Sequence, residues 1–329
     1  MRCSWKKLRY FLLAALIFLS SMIVGCEDNS GNLNEERSKV YVAVIAKSTT
    51  STYWKSTFAG ANAAGTEYNL ELTFEGPENE EDYETQNEMI YAAIENGADA
   101  IVISAVDYNA NAQAVEEAVA TGVKVVVIDS DVNSDKVSCR ISTDNYKAGQ
   151  MVGEAVLAGN ESILNVGIVN FDKNSENGQQ REKGFRDYVA DYEHVNIVAS
   201  INVNSTIEDA KSETIRMLRE NPQMNVLVTF NEWTSLGVGY AVEELSLANQ
   251  TRVVAFDSNV ISVGMLETGE VDALIVQNPY AMGYLGVESA WKLVNEEKLA
   301  STEMDTTTTL ITRDNMFDPE SQKVLFSFD

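Results

Sequence analysis

The sequence predicts an α/β protein made of two doubly wound parallel-sheet lobes, and three observations lead there. Apolar runs of strand length alternate with stretches of helical periodicity, the pattern of a parallel sheet covered on both faces. The alternation runs for about 120 residues and then restarts. The roughly 290 residues that follow the N-terminal segment also exceed what one ordinary core holds.

Residues 1–25 read as an export signal. Arg2, Lys6, Lys7 and Arg9 form a positive start, the apolar run Phe11–Leu19 follows, and Ile23-Val24-Gly25-Cys26 closes it. The run is too short, and wrongly flanked, for a spanning helix. The box ending in Cys26 resembles a bacterial lipoprotein signal, which implies that Cys26 is acylated and becomes the mature N-terminus. Residues 26–39, poor in hydrophobics, read as a flexible tether.

In the first lobe, strands are expected at Val40–Ile45, Leu70–Phe74, Ala100–Ile103 and Val123–Ile128. Helical spacings such as Ala59/Ala63 and Ile90/Ala93/Ile94 lie between them, with Gly97 and Gly122 as helix stops. The junction falls around Ser142–Gly149, where Ala148, Met151, Val152, Ala155 and Val156 begin a helical core stripe. The second lobe shows strands at Leu164–Val169, Val195–Ile201, Val226–Phe230, Val253–Phe256 and Ala273–Val276. Its helices begin near Asn174, Thr206, Trp233 and Val260. Thr302–Thr309, rich in threonine, suits an extended second crossing.

Composition closes several function classes. The whole chain carries 24 Lys+Arg against 50 Asp+Glu. All four basic residues of the signal leave with it, so the remainder is still more acidic. Such a surface repels phosphate backbones, and nucleic acid is not expected as a partner. The lone His194 excludes a multi-histidine zinc site, and in the polar run DYEHVN before a strand it is not expected as the base of a Ser-His-Asp triad or a Cys-His pair. Once Cys3 is removed and Cys26 lipidated, Cys139 stands alone. It follows Val137 at period two, and is expected as a buried small hydrophobe. Neither a metal nor a cofactor is expected.

In doubly wound sheets, ligands bind beyond the carboxyl ends of the strands. Those positions hold Lys47 with Tyr53 and Trp54 after the first strand, and Asp129 after the fourth. In the second lobe they hold Asn170, Asp172 and then Arg181, followed by Asn231, Asp257 and Gln277. Acceptor-only carboxylates, donor-only Arg and Lys, and amides that do both suit a small polyhydroxylated ligand, with aromatic faces against its C–H faces. Taken singly, the Asp and Asn residues could be helix caps and Trp54 could be core; the reading rests on their shared location. The run "VVVIDSDVNSD" could also form a calcium loop. Counted from Asp129, however, the sixth and twelfth positions are Ser134 and Arg140 where such a loop wants Gly and Glu. Asp129 is therefore the expected ligand acceptor, and Asp131 to Asp135 a solvated turn.

With these residues in place, the chain from about Val40 to Asp329 resembles the type I periplasmic sugar-binding proteins. These are the ribose-binding-like group, which includes solute-binding lipoproteins of ABC transporters. The family's paired aromatics match Tyr53 and Trp54, and its strand-end aspartate matches Asp129. Its arginine before a Gly-Phe helix matches Arg181 in "REKGF", its asparagine Asn231, its Phe-Asp pair Phe256-Asp257, and its inter-lobe glutamine Gln277. The resemblance implies a three-segment hinge, with residues 40–144 plus 278–304 in the N-terminal lobe and 145–277 plus 305–329 in the C-terminal lobe.

It further implies a monomer, not an enzyme, that closes over a small sugar or polyol and docks on ABC transporter permease subunits. That monomer would be extracytoplasmic and held to the cell membrane by its N-terminal lipid alone. An alternative within the same lobes is a sensory lipoprotein presenting its ligand to a membrane receptor or histidine kinase. Three departures point away from ribose: Ser130 stands where ribose binders carry arginine, Lys47 where they carry serine, and no aromatic lies near Ser205. A glycosidase using Asp129 and Asp257 lacks any nucleophile or raised-pKa signature in the sequence. A lac-repressor-like regulator would need a basic DNA-binding segment where the signal and tether stand.

Overall fold

A computed structural model describes residues 39–159 and 162–326. The expected export signal, Cys26 and all of the expected tether but Lys39 lie outside the described residues, as do residues 327–329, expected in the C-terminal lobe. From Val40 onward the chain forms one compact unit. It opens with β1 (Tyr41–Ile45), α1 (Thr52–Glu67), β2 (Glu71–Glu75), α2 (Tyr83–Glu95), β3 (Ala100–Ile103), α3 (Ala112–Ala120), β4 (Lys124–Ile128) and β5 (Cys139–Thr143). After α4 (Asn145–Leu157) the pattern repeats as β6 (Leu164–Asn170), α5 (Glu176–Val189), β7 (Val195–Asn202), α6 (Ile207–Glu220) and β8 (Val226–Thr229). It continues through α7 (Glu232–Glu244), β9 (Arg252–Phe256), α8 (Val260–Thr268) and β10 (Ala273–Val276). The tail comprises α9 (Pro279–Val294), β11 (Glu303–Thr306), β12 (Thr309–Thr312) and α10 (Pro319–Leu325).

Two six-stranded sheets result, in the orders β11-β5-β4-β3-β1-β2 and β12-β10-β9-β8-β6-β7. Every strand pair is parallel except β10–β12. The expected fold class holds: two parallel-dominated doubly wound sheets with helices on both faces. The chain passes from the first sheet to the second after Thr143, returns between Val276 and Pro279, and crosses again between Thr306 and Thr309.

The continuous apolar runs are explained by cores on both faces of each sheet. Val42, Val44, Ala100, Val102, Val126 and Ile128 pack with Ala61, Ala64 and Met282 from α1 and α9. The alternate residues Ala43, Ile45, Ile101, Ile103, Val125 and Val127 pack with Ile90, Ala93 and Val115 from α2 and α3. In the second sheet, Val226, Val228, Val254 and Phe256 face α4 and α5, while Leu227, Val253 and Ala255 face α6, α7 and α8. Period-two side chains thus feed two cores at once, which only a doubly covered sheet permits. Cys139 is buried in the first of these cores.

Asp131 to Asp135 is not simply a solvated turn. Val132 is fully buried in the core under α2 and α3, and Ser134 is buried with its hydroxyl on Glu116. Asp131 accepts from Arg140 Nε at 2.8 Å. The segment is docked by one apolar residue and an ion pair that alternation of acidic residues alone did not suggest. Among the described residues no helix is long and apolar enough to cross a membrane.

Candidate ligand-binding site

The site begins with two strand ends. β4 and β9 occupy equivalent places in the two sheets, and each runs directly into an aspartate, Asp129 and Asp257. Both adopt left-handed backbone conformations, with φ of 57° and 64°. This conformation costs a non-glycine residue about 1 kcal/mol, least for Asp and Asn. It lets each amide bond sideways to the neighbouring strand: Asp129 N–H to Ile141 O (3.0 Å) and Asp257 N–H to Ile275 O (2.9 Å). Held in this way, both carboxylates are buried at the meeting of the lobes.

A continuous polar network joins them. Asp129 Oδ1 accepts from Tyr53 Oη (3.0 Å) and Asn177 Nδ2 (3.1 Å) and lies 3.8 Å from Arg181 Nη2; its Oδ2 accepts from Ser104 Oγ (2.9 Å). Arg181, only 1% exposed, donates Nε to Asn145 Oδ1 (2.9 Å), Nη1 to Phe230 O (2.7 Å) and Nη2 to Gln277 Oε1 (2.7 Å). Its guanidinium stands 4.7 Å over the Phe256 ring. Gln277 Oε1 also accepts from Thr143 Oγ1 (2.8 Å), and its Nε2 donates to Asp257 Oδ1 (2.8 Å). Thr143, Asn145 and Gln277 all sit where the chain passes between sheets, so the network ties the site to the hinge.

The aromatics complete the walls. Tyr53 and Trp54 meet edge to face at 5.0 Å on the first turn of α1, whose N-cap Ser51 accepts from Trp54 N–H. Trp54 Nε1 donates to Glu80 Oε1 at 2.8 Å. Lys47 Nζ donates to Ser175 Oγ at 2.6 Å and stands 5.2 Å over Phe171. Asn231 caps α7 with its Oδ1 and donates Nδ2 to Ser205 Oγ at 3.3 Å, so the cap reading and the site reading describe the same residue. A cavity is lined by all eight side chains expected from the sequence: Lys47, Tyr53, Trp54, Asp129, Arg181, Asn231, Asp257 and Gln277.

Sequence reasoning missed further lining residues, among them Glu80, Phe171, Asn177, Glu232 and Trp233. A signal existed for Asn177, which lies four residues before Arg181 and hence on the same helical face. Glu232 directly follows Asn231, but a carboxylate in a helical first turn ordinarily complements the dipole and gives no hint of a site. Ser130, the position that departs from the ribose binders, does not line the cavity. It is fully buried, with Oγ 3.5 Å from Ser175 Oγ. Lys47, bonded to the same Ser175, lines the wall instead.

Four carboxylates (Glu80, Asp129, Glu232, Asp257) and two cations (Lys47, Arg181) face the cavity. Burial pushes the Tyr53 phenol well above its usual value, helped by Asp129 and Asp257, so it remains a donor at neutral pH. Burial also raises Glu80, with Lys47 opposing. Asp257 is raised from 3.8 to about 7: burial dominates, Glu232 and Asp129 add to it, and Arg181 and Gln277 pull it back. At Asp257 the native state therefore binds more protons than the unfolded chain between about pH 4 and pH 7, and the contribution of this group to stability falls as pH rises through that window. Asp257→Asn is expected to flatten this slope, gaining stability relative to the parent at pH 7 more than at pH 5. Denaturant unfolding at both values checks it, and an unchanged slope would show that Asp257 is not the titrating group.

The comparisons with known proteins bear on this geometry. A family model described as a periplasmic binding protein domain matches residues 42–298. The D-ribose/D-allose-binding protein of Pseudomonas aeruginosa is 29% identical over 268 residues, covering 79% of this chain and 84% of its own. Among solved structures, a carbohydrate transporter solute binding protein from Agrobacterium radiobacter, in complex with D-arabinose, superposes with a TM-score of 0.85. It is 28% identical and covers 88% of this chain and 99% of that one. A sugar transporter from Clostridium phytofermentans is 32% identical with a TM-score of 0.77, covering 84% of this chain and 100% of that one.

Proposed function

Because the chain belongs to the periplasmic binding protein domain family, we propose that it captures a small sugar or polyol between its two lobes and delivers it to an ABC transporter permease outside the cytoplasm. The observation that carries this reading is the Tyr53–Asp129–Arg181–Gln277–Asp257 network, which lines one cavity from both lobes and the hinge. A ligand favours closure only by touching both sides, and the cavity offers acceptors and donors on both. Asp129, Asp257 and Glu80 accept from hydroxyls; Arg181, Lys47, Asn231 and Asn177 donate; Trp54, Trp233 and Phe171 cover C–H faces. The family is one of binding proteins for transport, not of enzymes. Import roles among the curated relatives, such as ribose import in Bacillus subtilis, favour delivery over a sensory role. Cys26 is proposed to carry the lipid that anchors an otherwise soluble monomer.

A panel of pentoses, hexoses and polyols, read by tryptophan fluorescence and thermal shift, tests the function. Trp54 and Trp233 line the cavity and should report binding directly, and a ligand of the native state raises the melting temperature by mass action. If no member of the panel moves either signal, the sugar reading fails. In the same host, Cys26→Ser should release the protein from the membrane fraction; retention there would remove the anchor.

A further inference from the structure

Several bonds between the lobes involve carboxylates that reach backbone amides rather than other side chains. Glu232, the first residue of α7 and 6% exposed, accepts from Tyr53 N–H with Oε2 (3.0 Å) and from Thr52 N–H with Oε1 (3.3 Å). These are first-turn amides of α1, in the other lobe, which have no partner within their own helix. Asn259 Nδ2, at the N-cap of α8, holds Oε1 from behind at 2.9 Å. A second contact runs the opposite way. Glu81, in the first lobe, accepts from Ser205 N–H at 2.6 Å, one residue before the N-cap of α6.

The two lobes therefore grip each other reciprocally through carboxylates seated at or beside helix N-termini, where negative charge is favoured. None of these bonds needs a ligand. The bonds from Thr52, Tyr53 and Ser205 N–H exist only when the lobes are together, because donor and acceptor belong to different lobes.

We propose that Glu81 and Glu232 are clasps, positioning residues that set how much of the protein is closed before ligand arrives. The proposal rests on ligand capture by lobe closure. Apparent affinity scales with the fraction of protein in the competent state, so weakening a clasp should lower affinity for every ligand by one common factor. A residue that reads the ligand would instead alter the order of preference. The closed state also releases ligand by opening, so the loss should fall on the dissociation rate.

The test uses Glu232→Gln, Glu81→Gln and the double variant, with folding verified by thermal melts. Small-angle scattering of the ligand-free proteins should show the double variant more open, with a larger radius of gyration than the parent. With D-ribose and D-allose as probes, each single substitution should weaken both by about tenfold, the loss expected for a charge-assisted bond made neutral. Losses that differ between the two sugars would make Glu232 or Glu81 a ligand reader and overturn the clasp. An unchanged radius of gyration would overturn it as well. If neither sugar nor any of the wider panel binds the parent, the sugar reading falls while the scattering of ligand-free protein still decides the clasp.

Discussion

Arg181→Met is expected to cost about 3–5 kcal/mol of stability, the range for breaking a buried charge pair from one side, and to weaken ligand binding about a hundredfold or more. The guanidinium is 1% exposed and spends three nitrogens on three acceptors that belong to three different segments: Asn145, Phe230 O and Gln277. Methionine keeps the unbranched stem but supplies no donor: Asn145 Oδ1 and Phe230 O lose their guanidinium bond in a buried setting, at about 1–3 kcal/mol each where no new partner is found, and Gln277 Oε1 keeps only Thr143 Oγ1. It also removes the positive charge that holds Asp257 down against burial, so that carboxyl should rise further above about 7. Arg181→Lys should recover little, because an ammonium is a point charge and cannot fork to three directions at once. Urea unfolding and titration calorimetry read the two losses separately. A methionine variant with parental affinity would mean that Arg181 only braces the fold.

The reason so much of this site was legible in the sequence is topological. In a parallel sheet the polar residue that ends each apolar run must emerge at the same edge, and reading only those positions returned Asp129, Asn231, Asp257 and Gln277. What could not be read has equally physical causes. The left-handed turns at Asp129 and Asp257 leave no glycine as a marker. Glu80 comes from a loop whose sequence is acidic throughout, and Glu232 acquires its role only when α1 of the other lobe arrives. The edge strands β11 and β12, with sequences EMDT and TLIT, bury too little to carry an apolar run, although the threonine content did suggest extended chain. In β5 only alternate residues, Cys139, Ile141 and Thr143, are buried, so it shows no continuous run. The helix α9 hides in a stretch rich in glycine and tyrosine, because its role is close approach to another helix.

That close approach supplies the other large expected effect. α9 crosses α1 at Gly60 and Gly283, and α4 crosses α5 at Gly149 and Gly184. A Cβ on Gly283 would stand 1.9 Å from Thr57 O, and one on Gly60 2.0 Å from Tyr280 O. Equally, a Cβ on Gly149 would stand 2.0 Å from Arg181 O, and one on Gly184 2.0 Å from Tyr146 O. In each crossing the obstruction is backbone, which cannot swing aside, so the helices must separate. Gly149→Ala is expected to destabilise by about 3 kcal/mol, the upper end of ordinary overpacking, despite the 0.5–1 kcal/mol that alanine gains over glycine within a helix. Because the carbonyl it strikes is that of Arg181, the displacement is delivered to the binding network, and affinity should fall with stability. Gly283→Ala pushes on Thr57, one turn beyond Tyr53 and Trp54, and should do the same from the other lobe. Gly264→Ala is the matched control: it lies within α8, and an added Cβ meets nothing within 4 Å. That variant should be slightly more stable than the parent and bind ligand unchanged. Thermal melts and calorimetry on the three proteins decide the matter. If Gly149→Ala melts with the control, the α4–α5 crossing has slack to give, and the glycine there serves neither the fold nor the placement of Arg181.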